Sequence, residues 1–230
     1  MQNSQTGGIV AVPTIGATVD TVQGSGGNVT LDSSGFVSDG DTLDVFIYIE
    51  DVEAADIYTD DSGNWTYLGD AQHDGVRATS VQHWRIKWNT SDSTSHLFTT
   101  GASSYREAVV LATSGTDATS WAGDSSGATG TSSTASLAAI TETTTEFVQL
   151  AMCGNWQWNA NPTPTGWDLE VAMNNASEVY SESDQDTTSA TISVGSDNGW
   201  STRRGATVPT QAGGVSIPVI MHHRQTQGQV

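Results

Sequence analysis

The sequence predicts an all-β chain folded as one antiparallel sandwich, and three observations carry that expectation. Apolar and polar residues alternate over short segments, most clearly along 81–88 (VQHWRIKW). Turn-forming clusters return at short intervals, among them 32–35 (DSSG), 61–63 (DSG) and 124–127 (DSSG), each joining a side-chain acceptor to a glycine that admits positive φ. Nowhere do apolar residues keep a helical spacing over three turns.

The elements follow in chain order. Residues 1–12 read as a polar N-terminal arm, 222–230 as a C-terminal tail, and 13–221 as a single folded body. A first strand falls at 27–31. The stretch 40–51 (GDTLDVFIYIED) opens with a Gly40–Asp41 turn. It continues as a strand with Leu43, Val45, Ile47 and Ile49 on one face, and Phe46 and Tyr48 keep the other face apolar enough to be covered as well. Between Glu50 and Tyr58, the placing of Val52, Ala55 and Ile57 allows one short turn of helix. A strand at 64–70 follows. Then 81–88 places Trp84, Ile86 and Trp88 against His83, Arg85 and Lys87, the pattern of a strand buried on one face only. Further strands are expected at 96–100, 105–113, 146–153, 167–173, 189–194 and 215–221, while 114–136, made of small residues around Trp121, reads as a long loop. The repeated turn signals carry no internal repeat of sequence. Ten strands with almost no helix must cover their apolar faces with one another, and a jelly-roll-like sandwich is the simplest solution.

Composition narrows the function classes. The 230 residues carry seven Lys and Arg against 26 Asp and Glu, a net charge of −19. Such a charge repels phosphate, which excludes nucleic acid and anionic membranes as natural partners. Cys153 is the one cysteine, so no intrachain disulfide can form, and its apolar neighbours mark it as a core thiol. No apolar run is long enough to span a membrane, and the start MQNSQTGGIVAV lacks the basic residues of a secretory signal, so synthesis in the cytosol without the usual export route is expected. The sequons at Asn28, Asn64, Asn89 and Asn175 then read as chance in an Asn/Ser/Thr-rich chain.

Catalytic and metal-binding patterns are missing from the sequence. There is no G-x-S-x-G elbow, and His73, His83, His96, His222 and His223 show no zinc spacing, so no catalytic residue, metal or cofactor is assigned. Two acidic groups stand out: Glu50, Asp51, Glu53, Asp56, Asp60 and Asp61, and then Glu182, Asp184 and Asp186. Both read as solvated acidic faces, with calcium as the functional alternative, although neither matches the spaced EF-hand loop. Eight tryptophans in so polar a chain must mostly fill the core, Trp65, Trp84, Trp88, Trp167 and Trp200 among them. Trp156 and Trp158 beside the Pro/Asn-rich 159–166, with Trp121, are the expected contact surface, where exposed rings could stack on sugars.

The succession of 40–43 (GDTL), 63–69 (GNWTYLG), 84–88 (WRIKW), 108–115 (AVVLATSG) and 164–167 (PTGW) resembles a family of phage virion proteins with jelly-roll-like sandwiches, and it spans nearly the whole chain. The resemblance implies a virion structural protein rather than an enzyme, with no catalytic residues to carry over. The expectation is a capsid decoration or cement protein, made in the host cytoplasm. It would sit on the capsid surface as a trimer, touching the major capsid protein and copies of itself. A tail-fibre or baseplate adhesin domain that binds surface glycan is the alternative.

Overall fold

In the computed structural model, residues 13–15, 20–50, 58–73, 77–100, 105–116, 123–141, 147–156, 161–173, 177–182, 188–195 and 199–208 are described. Their strands are β1 (Thr14–Ile15), β2 (Asp20–Ser25), β3 (Val29–Asp32), β4 (Thr42–Glu50), β5 (Thr59–Asp60), β6 (Thr66–His73), β7 (Thr79–Lys87) and β8 (Ser95–Thr99). They continue with β9 (Tyr105–Ser114), β10 (Ser125–Gly130), β11 (Thr134–Leu137), β12 (Val148–Asn155), β13 (Asp168–Met173), β14 (Ser177–Glu182), β15 (Ala190–Ser193) and β16 (Trp200–Thr207). Every pairing is antiparallel, and no helix occurs among the described residues, so the chain is an all-β sandwich.

Four sheets form four layers. One large sheet runs β1-β9-β4-β7-β6, with β2 also on β9, and a small sheet β3-β8-β5 covers its outer face. The second large sheet runs β10-β16-β12-β14-β13, and the pair β11-β15 covers it. Period-two alternation feeds a core on each side of a strand. From β4, Leu43, Val45, Ile47 and Ile49 enter the outer core with Trp65, Trp84, Trp88 and Phe98, while Phe46 and Tyr48 meet Leu150, Met152 and Val179 of the second large sheet. The expected double-sided strand is therefore present. Its opening turn is present too: Gly40 has φ +83°, and Asp41 Oδ2 accepts the Ser38 amide at 2.8 Å.

The strand order repeats, although no sequence repeat announces it. The pairings β2–β9, β9–β4, β4–β7, β7–β6 and β3–β8 recur as β10–β16, β16–β12, β12–β14, β14–β13 and β11–β15. The register agrees as well. The β6–β7 pairing shifts between Tyr67 and Gly69, and the β13–β14 pairing shifts between Leu169 and Val171. This bulge makes Tyr67 correspond to Leu169 and its partner Trp84 to Tyr180. Through the next pairings Val45 then matches Ala151, and Val110 matches Arg204. The two large sheets stack in opposed order, β6 over β10, β7 over β16 and β4 over β12, as two copies related by a two-fold axis would.

Three expectations are corrected. The 81–88 strand is buried on both faces: His83 and Arg85 are fully buried, because the second large sheet covers the face that the charges seemed to give to water. The 114–136 loop contains β10 and β11, and its small residues serve close packing, since a Cβ on Gly127 would meet Ala71 and Arg203 at 2.9 Å. The turn placed at 124–127 is the start of β10, with Asp124 Oδ1 accepting the Ser125 amide at 2.8 Å. The strand at 215–221, the helical turn before Tyr58 and both terminal tails lie outside the described residues.

Candidate functional site

Most of the charge that looked available for chemistry is buried between the sheets. Asp44 Oδ1 accepts from His83 Nε2 at 2.6 Å and from Arg85 Nε at 2.7 Å, and all three side chains are fully buried. Arg85 Nη1 continues across the layers to the Ala206 carbonyl at 2.5 Å. Burial alone would raise the Asp44 carboxyl, but the Arg85 charge and the His83 hydrogen bond hold it below the usual range. Burial pushes His83 down to about 4, so at neutral pH its Nε2–H donates to an ionised Asp44. The cluster clamps two sheets and has no opening to a substrate.

The same holds for the other buried groups. Ser177 Oγ donates to Glu107 across the interface, and Asn161 donates its amide and its side-chain nitrogen to Glu178. Burial raises both carboxyls to about 7. Arg106 binds the carbonyls of Gly24 and Asn28, Arg203 binds that of Leu68 at 2.6 Å, and Arg204 binds Gln149 Oε1 and the Thr188 carbonyl, each at 2.5 Å. Four of the seven Lys and Arg residues thus lie inside, and Asp41, Asp44, Glu50, Glu107 and Glu178 are buried with them, so the acidic balance of the composition is carried by the exterior. Cys153 is buried, as expected, and burial holds its thiol well above the ordinary range, so it is an inert packing group.

An opening lies at one end of the first half, between the β5–β6 and β7–β8 connections. It encloses about 260 Å³ and is lined by Trp65, Ile86, Leu97 and His96, with Asp60, Asp61, Asp92 and Asn64 at its polar side. Sequence and fold explain its shape. Asp60 accepts the amides of Ser62 and Trp65 at 3.0 and 3.1 Å, which closes the turn and presents Trp65 to the core. His96 pairs through Nε2 with Ser33 Oγ at 2.8 Å and sets its ring edge-on to Trp65, with centroids 5.1 Å apart. Burial lowers the His96 pKa, so the ring brings no charge to offset the aspartates. Asp61 Oδ1 accepts from Thr99 Oγ1, and Asp92 Oδ2 accepts from the Asn89 amide.

A second opening of about 250 Å³ sits at the matching place in the other half, lined by Trp167, Pro164, Thr165, Thr188, Ser189 and Thr191. Trp167 occupies the position of Trp65 and Ser189 that of Ser95, but there the Arg204 guanidinium lies over the ring at 5.2 Å, and among the described residues no acidic side chain lines the space.

The predicted contact surface is only partly in view. Trp156 is half-buried and donates its amide to the Gly199 carbonyl at 3.1 Å, while Trp121 and Trp158 lie outside the described residues. Of the first acidic group, Glu50 is buried and accepts from the Tyr48 hydroxyl, Asp60 and Asp61 line the cleft, and the rest lie outside the described residues, as do Asp184 and Asp186 of the second. Among the described residues no grouping of His, Cys, Asp and Glu is placed to hold a metal. Sequence reading missed the Trp65 cleft because Trp65 carries two roles, core filler and cleft wall. The signal present in the sequence was the run of side-chain acceptors at 60–64 ahead of it. No family model matches the chain, and neither a curated protein nor a solved structure matches it.

Proposed function

We propose that the protein is a structural component of a bacteriophage virion, a capsid decoration or cement protein built from two jelly rolls. The observation that carries this reading is the strand order: β2-β9-β4-β7 faces β3-β8-β5, and β10-β16-β12-β14 faces β11-β15. That is the order two interleaved Greek keys produce. The buried Asp44, His83 and Arg85 and the inward arginines support a building unit, because they spend ionisable groups on joining layers. Its partners would be the major capsid protein and further copies of itself, as a trimer. Densitometry of purified particles tests the reading: hundreds of copies per particle are expected, and absence from particles overturns it.

A dozen or fewer copies would instead move the protein to the tail, as a fibre or baseplate adhesin domain. That second reading is favoured by the polar, tryptophan-walled cleft at the end of the first half.

A further inference from the structure

We propose that the cleft beside Trp65 is a saccharide subsite that takes one pyranose ring of a neutral glycan through its hydroxyls. The proposal rests on the adhesin reading and is independent of the decoration reading. Both halves open at the same place, so the fold itself makes the space, and the chemistry placed there distinguishes the two. In the first half three aspartates enter the lining, whereas the second half offers hydroxyls and a proline around a tryptophan already covered by Arg204.

The lining specifies what a ligand must bring. Carboxylates accept, and the Asp60 oxygens are already taken by Ser62 and Trp65, so the ligand must carry donors for the lone pairs left on Asp61 and Asp92. Trp65 is 8% exposed, and among the described residues no acceptor lies on its indole N–H. The comparable Trp88 N–H, by contrast, donates to the Ser93 carbonyl at 3.3 Å. The ligand must therefore carry an acceptor as well. Ile86 and Leu97 add apolar wall, which suits the C–H face of a sugar ring.

A hydroxyl is donor and acceptor at once, and a pyranose presents several around an apolar face. An ammonium or guanidinium group brings donors but no acceptor, an inorganic anion brings acceptors into a field of three carboxylates, and no described grouping suits a metal. The small volume fits one ring and weak binding, with a Kd of the order of millimolar.

The test titrates the full chain with methyl glucoside, galactoside and mannoside and with N-acetylglucosamine, followed by saturation-transfer NMR and tryptophan fluorescence. Saturable binding to at least one sugar is expected. Asp61→Asn and Trp65→Phe should weaken it about tenfold, the loss of one charge-assisted or otherwise unmatched hydrogen bond. Ser189→Ala in the second opening should leave it unchanged. Asn64→Ala, at an exposed rim position, should also weaken binding and keeps the test decisive if Trp65→Phe fails to fold. No saturable binding to any of the four sugars overturns the proposal. So does binding unaffected by both Asp61→Asn and Asn64→Ala, or saturation by arginine methyl ester or calcium with none by sugars. The copy number on particles is unaffected by any of these results, so failure here is distinguishable from failure of the decoration reading. The adhesin reading is separated too, since glycan-array binding that survives the Trp65 variants would retain it at another surface.

Discussion

The inner face of the first large sheet carries Asp44, His83 and Arg85 where the inner face of the second carries Leu150, Val179 and Ser181. The two faces look at each other across one interface, so one fold has been closed twice, with an ionic cluster on one side and mainly aliphatic side chains on the other. The glycines complete the contrast. Gly154 lies against the Tyr48 ring and Gly205 against the His83 ring, so the second half gives up side-chain volume where the first half fills it. Tyr48 and Gly154 are equivalent positions that meet each other, a large side chain against none, which a chain with two unequal halves can arrange and a dimer of identical copies cannot.

The strongest way to break this comparison is to remove one charge. Asp44→Ala leaves Arg85 buried without its carboxylate and is expected to cost about 3–5 kcal/mol in urea unfolding. The paired change Asp44→Leu with Arg85→Met imitates the apolar character of the second half at similar volume, and should cost less than Asp44→Ala alone, because desolvated charge is removed together with its partner. If the paired variant proves the less stable of the two, the ionic cluster contributes more than an exchangeable way of filling the interface.

Volume comes next. A Cβ on Gly154 would fall 2.1 Å from the Tyr48 ring, so Gly154→Ala should cost about 2–3 kcal/mol through overpacking. Gly35, in a turn of the first half, has open space at its Cβ position and no positive φ, and Gly35→Ala should change stability by no more than about 0.5 kcal/mol. Equal losses from both would show that the interface yields to added volume and is not packed as described.

These glycines also show which parts of the fold were legible in the sequence. β4 was readable because its two faces are apolar in different ways and both are buried. β16 (WSTRRGAT) was not, since it is buried along its whole length yet presents serine, threonine, arginine and glycine. Its arginines reach backbone carbonyls and its glycine receives His83, and neither role leaves an alternation of apolar residues. β10 (SSGATG) escaped because it is half-exposed and made of small residues with no apolar alternation, and with it the duplication, because the two halves share pairings and a bulge but few residue types. Of the cleft, Trp65 and the acidic turn before it were each noticed, but only the fold brings Asp92, His96 and Leu97 beside them.

Protonation sharpens the contrast more gently. Glu107 and Glu178 have folded-state values of about 7, above those of exposed glutamate, so the stability they allow is full below about pH 4.5 and is lost as pH rises through 7. His83, depressed to about 4, acts with the opposite sign: its contribution is present above about pH 6.5 and lost as pH falls through 4. Two groups outweigh one between these limits, so stability should peak near pH 4 and fall by about 3 kcal/mol toward pH 8. Glu178→Gln should remove most of that decline in urea titrations at several pH values, because Glu107 and His83 then oppose each other with similar size, and an unchanged decline would place its origin elsewhere.

The smallest expected effect concerns the only large apolar side chains that are exposed among the described residues, Tyr67 at 39% and Leu169 at 46%. They occupy the same place, beside the bulge on β6 and β13, so the comparison is between one position and its own duplicate. Tyr67 packs tilted against Trp84, with centroids 4.6 Å apart and planes 42° from parallel, and its hydroxyl donates to Asp70 Oδ1 at 2.8 Å. No comparable contact engages Leu169 among those described. Tyr67→Ser should therefore cost about 1 kcal/mol, the worth of an aromatic pair together with one exposed hydrogen bond, while Leu169→Ser should stay within about 0.5 kcal/mol. A larger loss at Leu169 than at Tyr67 in the isolated chain would mean that β13 is covered in solution by another copy. In that case the Leu169 effect would grow with protein concentration, since an interface adds stability by mass action and an internal contact does not.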